Sequence, residues 1–410
     1  MSCGEVGVAG VGLVSPLGNS QAELAAAVLA GRSAVQVWGL DLPGLDRALL
    51  PVARCDFDDN TVRAPSRLPA DRGTAMALTA TAQAYAESGL AAAGVDPERL
   101  GVYWGSGMAG AQTFDATCRA LYGQHRRMRP TTVLTTMPNA AVAEIALLLG
   151  AHGPALGYAC ACASSAVAIG EALRAIRGGW LDVAIVGGHE SMLSPGVLAS
   201  WQAMRVLAPL GVDGAGAASA CRPFSADRQD FAVGEGAAAL VLESPAHARA
   251  RGTHHALAVT GYATNCDGSH ITNPDARGQA RAMQAALRDA GLAPGDVGYL
   301  NAHGTGTQVG DAAEAASVRS VFGPQGVPVS STKALHGHLL GAGGAVELVV
   351  ALQALVHQQL PPTAHLQLPD PAFELDLVQG APRVVSGLRH VMSNSFAFGG
   401  TNAVLVASRV

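Results

Sequence analysis

Short apolar runs bounded by glycine and polar turn residues recur along the chain and predict buried strands. The first spans 5–14, where valine alternates with glycine, and Ser15-Pro16-Leu17-Gly18-Asn19-Ser20 then turns the chain into an alanine-rich helix. Further strands are predicted at 101–105, 182–187, 237–243, 256–263, 297–300 and 402–407. Alanine-rich segments of helical length lie between several of them, at 73–93, 164–178, 279–291 and 341–357. Alternating strands and helices predict an α/β fold with buried sheets. The glycine-rich segment 208–220 reads as a mobile loop.

The pattern contains an echo. Cys162 leads into small residues and then an apolar helix, and His338 leads into Leu339-Leu340-Gly341-Ala342-Gly343-Gly344 and another. The echo suggests two related halves, 1–250 carrying the cysteine and 251–410 carrying two histidines. No low-complexity linker divides them, so they are expected to pack as one body. The length, 410 residues, exceeds one ordinary core and fits two.

Composition sharpens this picture. With 49% hydrophobic residues, 14% charged residues and 50 glycines, the chain suits a tightly packed interior and a sizeable buried oligomer interface. A net charge of −5 argues against nucleic acid as the main partner. The seven cysteines have no framework spacing, so reduced thiols in a cytoplasmic protein are expected. Met1-Ser2-Cys3-Gly4-Glu5 shows no charged segment leading into an apolar one, so no signal peptide is expected. The longest apolar stretches, 133–150 and 341–356, are broken by Pro138, Asn139 and Glu144 and by Glu347. Neither supplies about 20 uninterrupted apolar residues, and no membrane insertion is expected. Gly10-Val11-Gly12 starts like a dinucleotide fingerprint, but Ser15 stands where the third glycine belongs.

Three positions carry the candidate chemistry. Cys162 sits at a predicted helix start, where the positive end of the dipole lowers a thiol pKa. His303, in Asn301-Ala302-His303-Gly304-Thr305-Gly306-Thr307, and His338, in His336-Gly337-His338, are each framed by glycine. A soft nucleophile with two N–H donors is what thioester chemistry needs: one holds an acyl group, the others stabilise an oxyanion. Asp311 and Glu314 can orient neighbouring groups, and Lys333 can keep a nearby histidine neutral. Cys160-Ala161-Cys162 has no second pair at metal-ligand spacing, so zinc is not expected, and Cys160 reads as packing beneath Cys162. Ser393-Asn394-Ser395-Phe396-Ala397-Phe398-Gly399-Gly400 is either a turn between strands or an aromatic gate on a glycine hinge.

Together these motifs resemble the elongating β-ketoacyl-[acyl-carrier-protein] synthases, of the ketosynthase II and type II polyketide ketosynthase kind, in the thiolase-like superfamily. Gly105-Ser106-Gly107-Met108, Arg222-Pro223-Phe224, Gly234-Glu235-Gly236 and Ser331-Thr332-Lys333 add to the likeness, which runs end to end. The resemblance implies a five-layered αβαβα sandwich of two related halves, usually dimeric. It implies decarboxylative condensation of an acyl group on Cys162 with malonyl-acyl carrier protein, in fatty-acid, polyketide or polyene synthesis. His303 and His338 would polarise the malonyl thioester, Lys333 with Glu314 and Glu347 would support them, and Thr305 and Thr307 would hold the phosphopantetheine arm. The backbone N–H groups of Cys162 and Phe398 would form the oxyanion hole, and Phe398 would be the gate. Met108 would cap the acyl pocket, and Arg63, Arg67, Arg126, Arg127 and Arg205 would dock an acidic carrier protein. No metal or other cofactor is implied.

Five positions depart from the family pattern: Cys160, His336, Gln229-Asp230 in place of Asp-Gly, and Ala397 in place of the gate's first glycine. They suggest a specialised pathway and a stiffer gate. A thiolase is disfavoured because no cysteine follows Cys266, and a catalytically silent chain-length factor is disfavoured because Cys162 is present. An acyltransferase on the same fold, or the active half of a heterodimer with a chain-length-factor-like subunit, stays open.

Overall fold

The glycines of the first strand are explained by what lies on them. Strand β1, Val6–Val14, packs directly against helix α1, Arg72–Ser88. A Cβ on Gly10 or Gly12 would stand 2.1 Å from the carbonyl oxygens of Ala84 and Ala80. The computed structural model describes residues 5–42 and 46–410; the first four residues, on which the signal-peptide expectation partly rests, lie outside them.

Ten more strands join β1 in one sheet: β2 (Leu100–Gly105), β3 (Ala155–Tyr158), β4 (Val183–Glu190), β5 (Gly236–Glu243), β6 (Leu257–Cys266), β7 (Tyr299–Asn301), β8 (Pro328–Ser330), β9 (Asp376–Leu377), β10 (His390–Phe396) and β11 (Thr401–Arg409). The spatial order is β9-β8-β7-β10-β11-β6-β1-β5-β4-β2-β3. Only two residue pairs, Val6–Val259 and Gly7–Ala258, join β1 to β6. On either side of that seam the same topology recurs. Counted in chain order, β1–β5 and the five strands β6, β7, β8, β10 and β11 both run third, second, fourth, fifth, first.

Helices complete five layers. α1 and α2 (Ala140–Leu149) cover the outer face of the first half. α4 (Ala276–Ala290) and α5 (Gln308–Phe322) cover that of the second. Between the half-sheets lie α3 (Ser164–Arg177) and α6 (Gly343–His357), which touch each other and strands of both halves. This is the expected αβαβα sandwich. Each central helix follows a single 3-10 turn, Ala161–Ala163 or Leu340–Ala342, whose first residue is left-handed: φ is 47° at Ala161 and 48° at Leu340. The echo is therefore present in the backbone, but the register differs from the sequence reading. Cys162 is matched by Gly341, not by His338.

Other differences have local causes. Gly89, at φ 69°, ends α1 at Ser88, so 73–93 is not one helix. The run 133–150 splits at Met137-Pro138 into Thr132–Thr136 and α2. Leu340–His357 is apolar and long enough to cross a membrane, but 83% of that window is buried as the central layer. Segment 208–220 folds into two 3-10 turns, with Gly214 and Ala217 buried. Edge strand β3 and the neighbouring segments leave an apolar face, with Leu156, Leu147 and Leu134 at 45%, 60% and 55% exposure.

Candidate active site

Cys162 is placed by a strained turn. Strand β3 ends at Tyr158, and the left-handed Ala161 swings the chain across the top of α3. A non-glycine residue in that region stores energy that the surroundings must hold. Ser164 does so locally: its hydroxyl donates to Ala161 O at 2.6 Å and accepts the Cys160 N–H at 2.9 Å. Because the chain coils after Tyr158, Cys160 does not lie beneath the nucleophile. It packs against the central core, whereas Cys162 belongs to a separate cluster with Leu193, Phe231 and Leu340.

The thiol's acidity reverses the sequence expectation. Cys162 is 6% exposed, and burial pushes its pKa up to about 12. The charge of Lys333 and hydrogen bonds from the backbone N–H groups of Phe398 and of Cys162 itself pull it down, but by less. Position at a helix start does not outweigh loss of water. Iodoacetamide is therefore expected to alkylate Cys162 about tenfold faster for each pH unit from about 7 to 10, as the thiolate fraction grows. A plateau near neutrality in a peptide-mapped time course would mean a preformed thiolate.

The histidines converge on this sulfur. His338 Nε2 lies 3.0 Å from Cys162 Sγ, and its Nδ1 accepts the Leu340 N–H at 3.3 Å. A ring whose Nδ1 accepts carries its proton on Nε2, so His338 presents an N–H toward the sulfur. His303 meets His338 edge to face at 5.4 Å between ring centroids, and the potential ligand atoms of all three residues lie within 4.8 Å of one another. Burial holds both histidines well below the usual imidazole range, and the Lys333 charge adds to the effect. Two neutral imidazoles thus face a protonated thiol. Phe231 packs edge-on to His338 and Phe396 to His303. His336 stands apart, held by Thr332 Oγ1 and Gly337 O.

Buried ions fix the trio from behind. Lys333, fully buried, donates to His303 O and forms an ion pair with Glu347. Glu347, not Glu314, is thus its close partner. Glu314 instead accepts the N–H groups of His303 at 2.9 Å and Gly304 at 2.7 Å, and is held by Asn394. Asp311 accepts the N–H groups of Gly306 and Phe224, tying the histidine loop to Arg222-Pro223-Phe224.

A cavity of about 520 Å³ opens from this centre, lined by Cys162, His303, His338, Thr305, Thr307 and Phe398, among others. Phe398 sits in the turn between β10 and β11 and stacks on Trp201 at 6.5 Å. Trp201 and Met204 also line a separate groove with Met108 and Phe114, so the Phe398–Trp201 pair stands between the cavity and that groove. Met108 is 50% exposed. Arg126 and Arg127 line a cleft of about 320 Å³ with Arg129, Thr131 and Thr132. Arg63, Arg67 and Arg205 are exposed elsewhere on the surface.

A nucleophile, two neutral histidines and a cavity opening onto them narrow the chemistry but leave several thioester enzymes standing. Comparison decides the matter. Residues 4–248 match the β-ketoacyl synthase N-terminal domain and 257–367 the β-ketoacyl synthase C-terminal domain. The chain belongs to the β-ketoacyl synthase family. It is 41% identical over 343 residues to nodulation protein E of Rhizobium leguminosarum bv. trifolii, covering 83% of each chain. It is 34% identical over 417 positions to 3-oxoacyl-[acyl-carrier-protein] synthase 2 of Vibrio cholerae serotype O1, covering 100% of each. A β-ketoacyl synthase structure from Burkholderia phymatum STM815 superposes with a TM-score of 0.89 at 34% identity, over 99% of this chain and 100% of that one. The ishigamide ketosynthase/chain length factor superposes at 0.90 with 28% identity, over 99% of each.

Other side chains packed around the centre carry little signal in the sequence. Glu190, fully buried at the end of β4, accepts the N–H groups of Gly107 (2.7 Å), Met108 (3.2 Å) and Gly341 (3.0 Å), stitching the two halves beside Cys162. Burial raises it to about 7 against those donors. A charged residue closing the apolar strand 183–190 was the available signal. Trp201 and Phe231 had none beyond being aromatic.

Proposed function

We propose that this synthase condenses an acyl group held on Cys162 with a malonyl group delivered by acyl carrier protein, yielding a 3-ketoacyl-carrier protein and CO2. The halves divide the work: 1–250 supplies the nucleophile, and 251–410 supplies the histidines and the gate. The Cys162 sulfur, losing its proton, attacks the acyl thioester of a phosphopantetheine arm. The oxyanion forms against the N–H groups of Cys162 and Phe398, and the pantetheine thiol leaves with the proton. Malonyl-carrier protein then enters. N–H groups of His303 and His338 receive the charge developing on its thioester oxygen as the C–C bond to the carboxylate breaks. The enolate carbon attacks the acyl-cysteine, and the Cys162 sulfur leaves.

The observation that carries this reading is the 3.0 Å approach of a neutral, N–H-bearing His338 to Cys162, with His303 beside it. Lys333 and Glu314 keep both rings placed, and Glu347 balances the lysine. Thr305 and Thr307 take the arm along the cavity. Phe398 swings from Trp201 to admit each substrate. The arginines of the 126–129 cleft, with Arg63, Arg67 and Arg205, dock an acidic carrier protein in the cytoplasm. A second subunit covers the apolar face beside β3 and closes the groove over Met108. That subunit is another copy or a chain-length factor, as in the ishigamide neighbour. Met108→Gly is expected to extend the accepted acyl chain by about two to four carbons, since one long side chain spans about that length; an unchanged product profile overturns this role.

Incubation with acyl-carrier proteins and then malonyl-carrier protein, followed by peptide-mapped mass, tests the reading. Acylation at Cys162, discharged with a two-carbon-longer 3-ketoacyl product, is expected. Acylation discharged without decarboxylation, onto an alcohol or amine, would identify an acyltransferase instead.

A further inference from the structure

Asp230 is an acidic residue in a conformation that favours glycine. Its backbone is left-handed, with φ 66°, and its N–H donates to Gly306 O at 3.0 Å. That bond clamps it to the segment carrying Thr305 and Thr307. The residue is half-buried and lines the central cavity.

The other cavity carboxylates are occupied. Asp267 accepts from Asn402 at 2.7 Å and from the Asp275 N–H at 2.9 Å, while Asp311 and Glu314 hold the backbone N–H groups of the histidine loop. The Asp230 carboxylate has no hydrogen-bond or ionic partner among the described residues, and burial alone raises its pKa. A partly desolvated carboxylate without a donor is an acceptor waiting for one. Beside it, the Thr305 and Thr307 hydroxyls bond each other at 3.0 Å. One hydrogen between them suffices for that bond, so a second hydroxyl hydrogen is left to donate to a ligand.

Donor and acceptor therefore flank the same stretch of cavity, and an amide needs both. We propose that Asp230 is a specificity-determining residue that accepts the N–H of an amide in the substrate arm, while the Thr305–Thr307 pair donates to its carbonyl. The inference rests on the cavity being the path of the phosphopantetheine arm, which carries two such amides. Backbone strain at position 230 is kept because the side chain reads the arm.

Three donors of one acyl group test it on the intact chain: the acyl-carrier protein, acyl-pantetheine with both amides, and an acyl ethyl thioester with none. Cys162 acylation is followed by quenched intact mass. Asp230→Gly, which relieves the left-handed strain, is expected to raise KM for both arm-bearing donors about tenfold more than for the ethyl thioester, the effect of one hydrogen bond to a charged group. Maximal rates should change little. Asp230→Asn, which tolerates the same backbone and keeps a neutral acceptor, should fall between. An equal loss with every donor, or none with any, overturns the inference. If the parent chain is acylated by no donor, the proposed function fails and takes this inference with it.

Discussion

Cys162→Ala is expected to lower condensation on the order of 10⁶-fold, the scale on which loss of a covalent nucleophile is felt. The remaining centre is not dismantled by this change. His303 keeps its backbone ties to Glu314 and Lys333, and His338 keeps its Leu340 bond. Malonyl-carrier protein should therefore still lose CO2, within about tenfold of the parent rate, because the stabilising N–H groups are intact. Measuring acetyl-carrier protein and 3-ketoacyl product separately by mass distinguishes the steps. Undiminished condensation would place the nucleophile elsewhere. Loss of both steps would mean that the sulfur also takes part in decarboxylation.

Lys333→Met is expected to destabilise the fold by about 3–5 kcal/mol, the usual effect of removing one partner of a buried ion pair. Lys333 is fully buried and Glu347 is 1% exposed, so the orphaned carboxylate has no water to turn to. The sign of the pH dependence follows. Burial already pushes Glu347 up, to about 7, and Lys333 works against that push. Without the lysine the folded state favours the protonated acid more strongly than the unfolded chain does. The variant should therefore be relatively more stable at about pH 5 than at about pH 8, with stability lost as pH rises through the raised folded value. Urea midpoints at the two pH values measure this, and Lys333→Met combined with Glu347→Gln should flatten the difference. A pH-independent loss would mean that packing, not charge, is what the lysine provides.

The fold was legible where strands are buried on both faces, as at 182–187 and 237–243, because continuous apolar runs leave no competing reading. It was not legible in the hairpin of Val35–Leu40 and Ala48–Ala53, whose first strand mixes buried ends with exposed middle residues. Helix Ala111–Gln124 went unread although Phe114, Cys118, Leu121 and Tyr122 recur at helical spacing, and none of its residues is fully buried. At the site, glycine framing exposed His303 and His338, and a predicted helix start exposed Cys162. The thiol's acidity went wrong because a helix start is visible in sequence, whereas the Phe231 and Leu340 side chains packed near the sulfur come from distant segments. Glu314 and Glu347 were both expected beside Lys333, and only folding shows that Glu347 meets the amine while Glu314 holds the His303 backbone.

The matched turns at Ala161 and Leu340 bear on why this molecule holds one reactive thiol instead of two. A fold made of the same topology twice offers two equivalent places for a nucleophile. In the second half that place is Gly341, and a Cβ there would stand 2.4 Å from the Gly107 nitrogen and 2.7 Å from Glu190 Oε2. The Gly107 backbone and the carboxylate that stitches the halves together jointly fill the room a second thiol would need. Symmetry in the scaffold and asymmetry in the chemistry are thus linked through what packs on Gly341. A double-headed variant would need both the Ser106–Gly107 backbone moved and position 190 vacated, because Ser106 and Gly107 backbone atoms crowd Gly341 as closely as the carboxylate does.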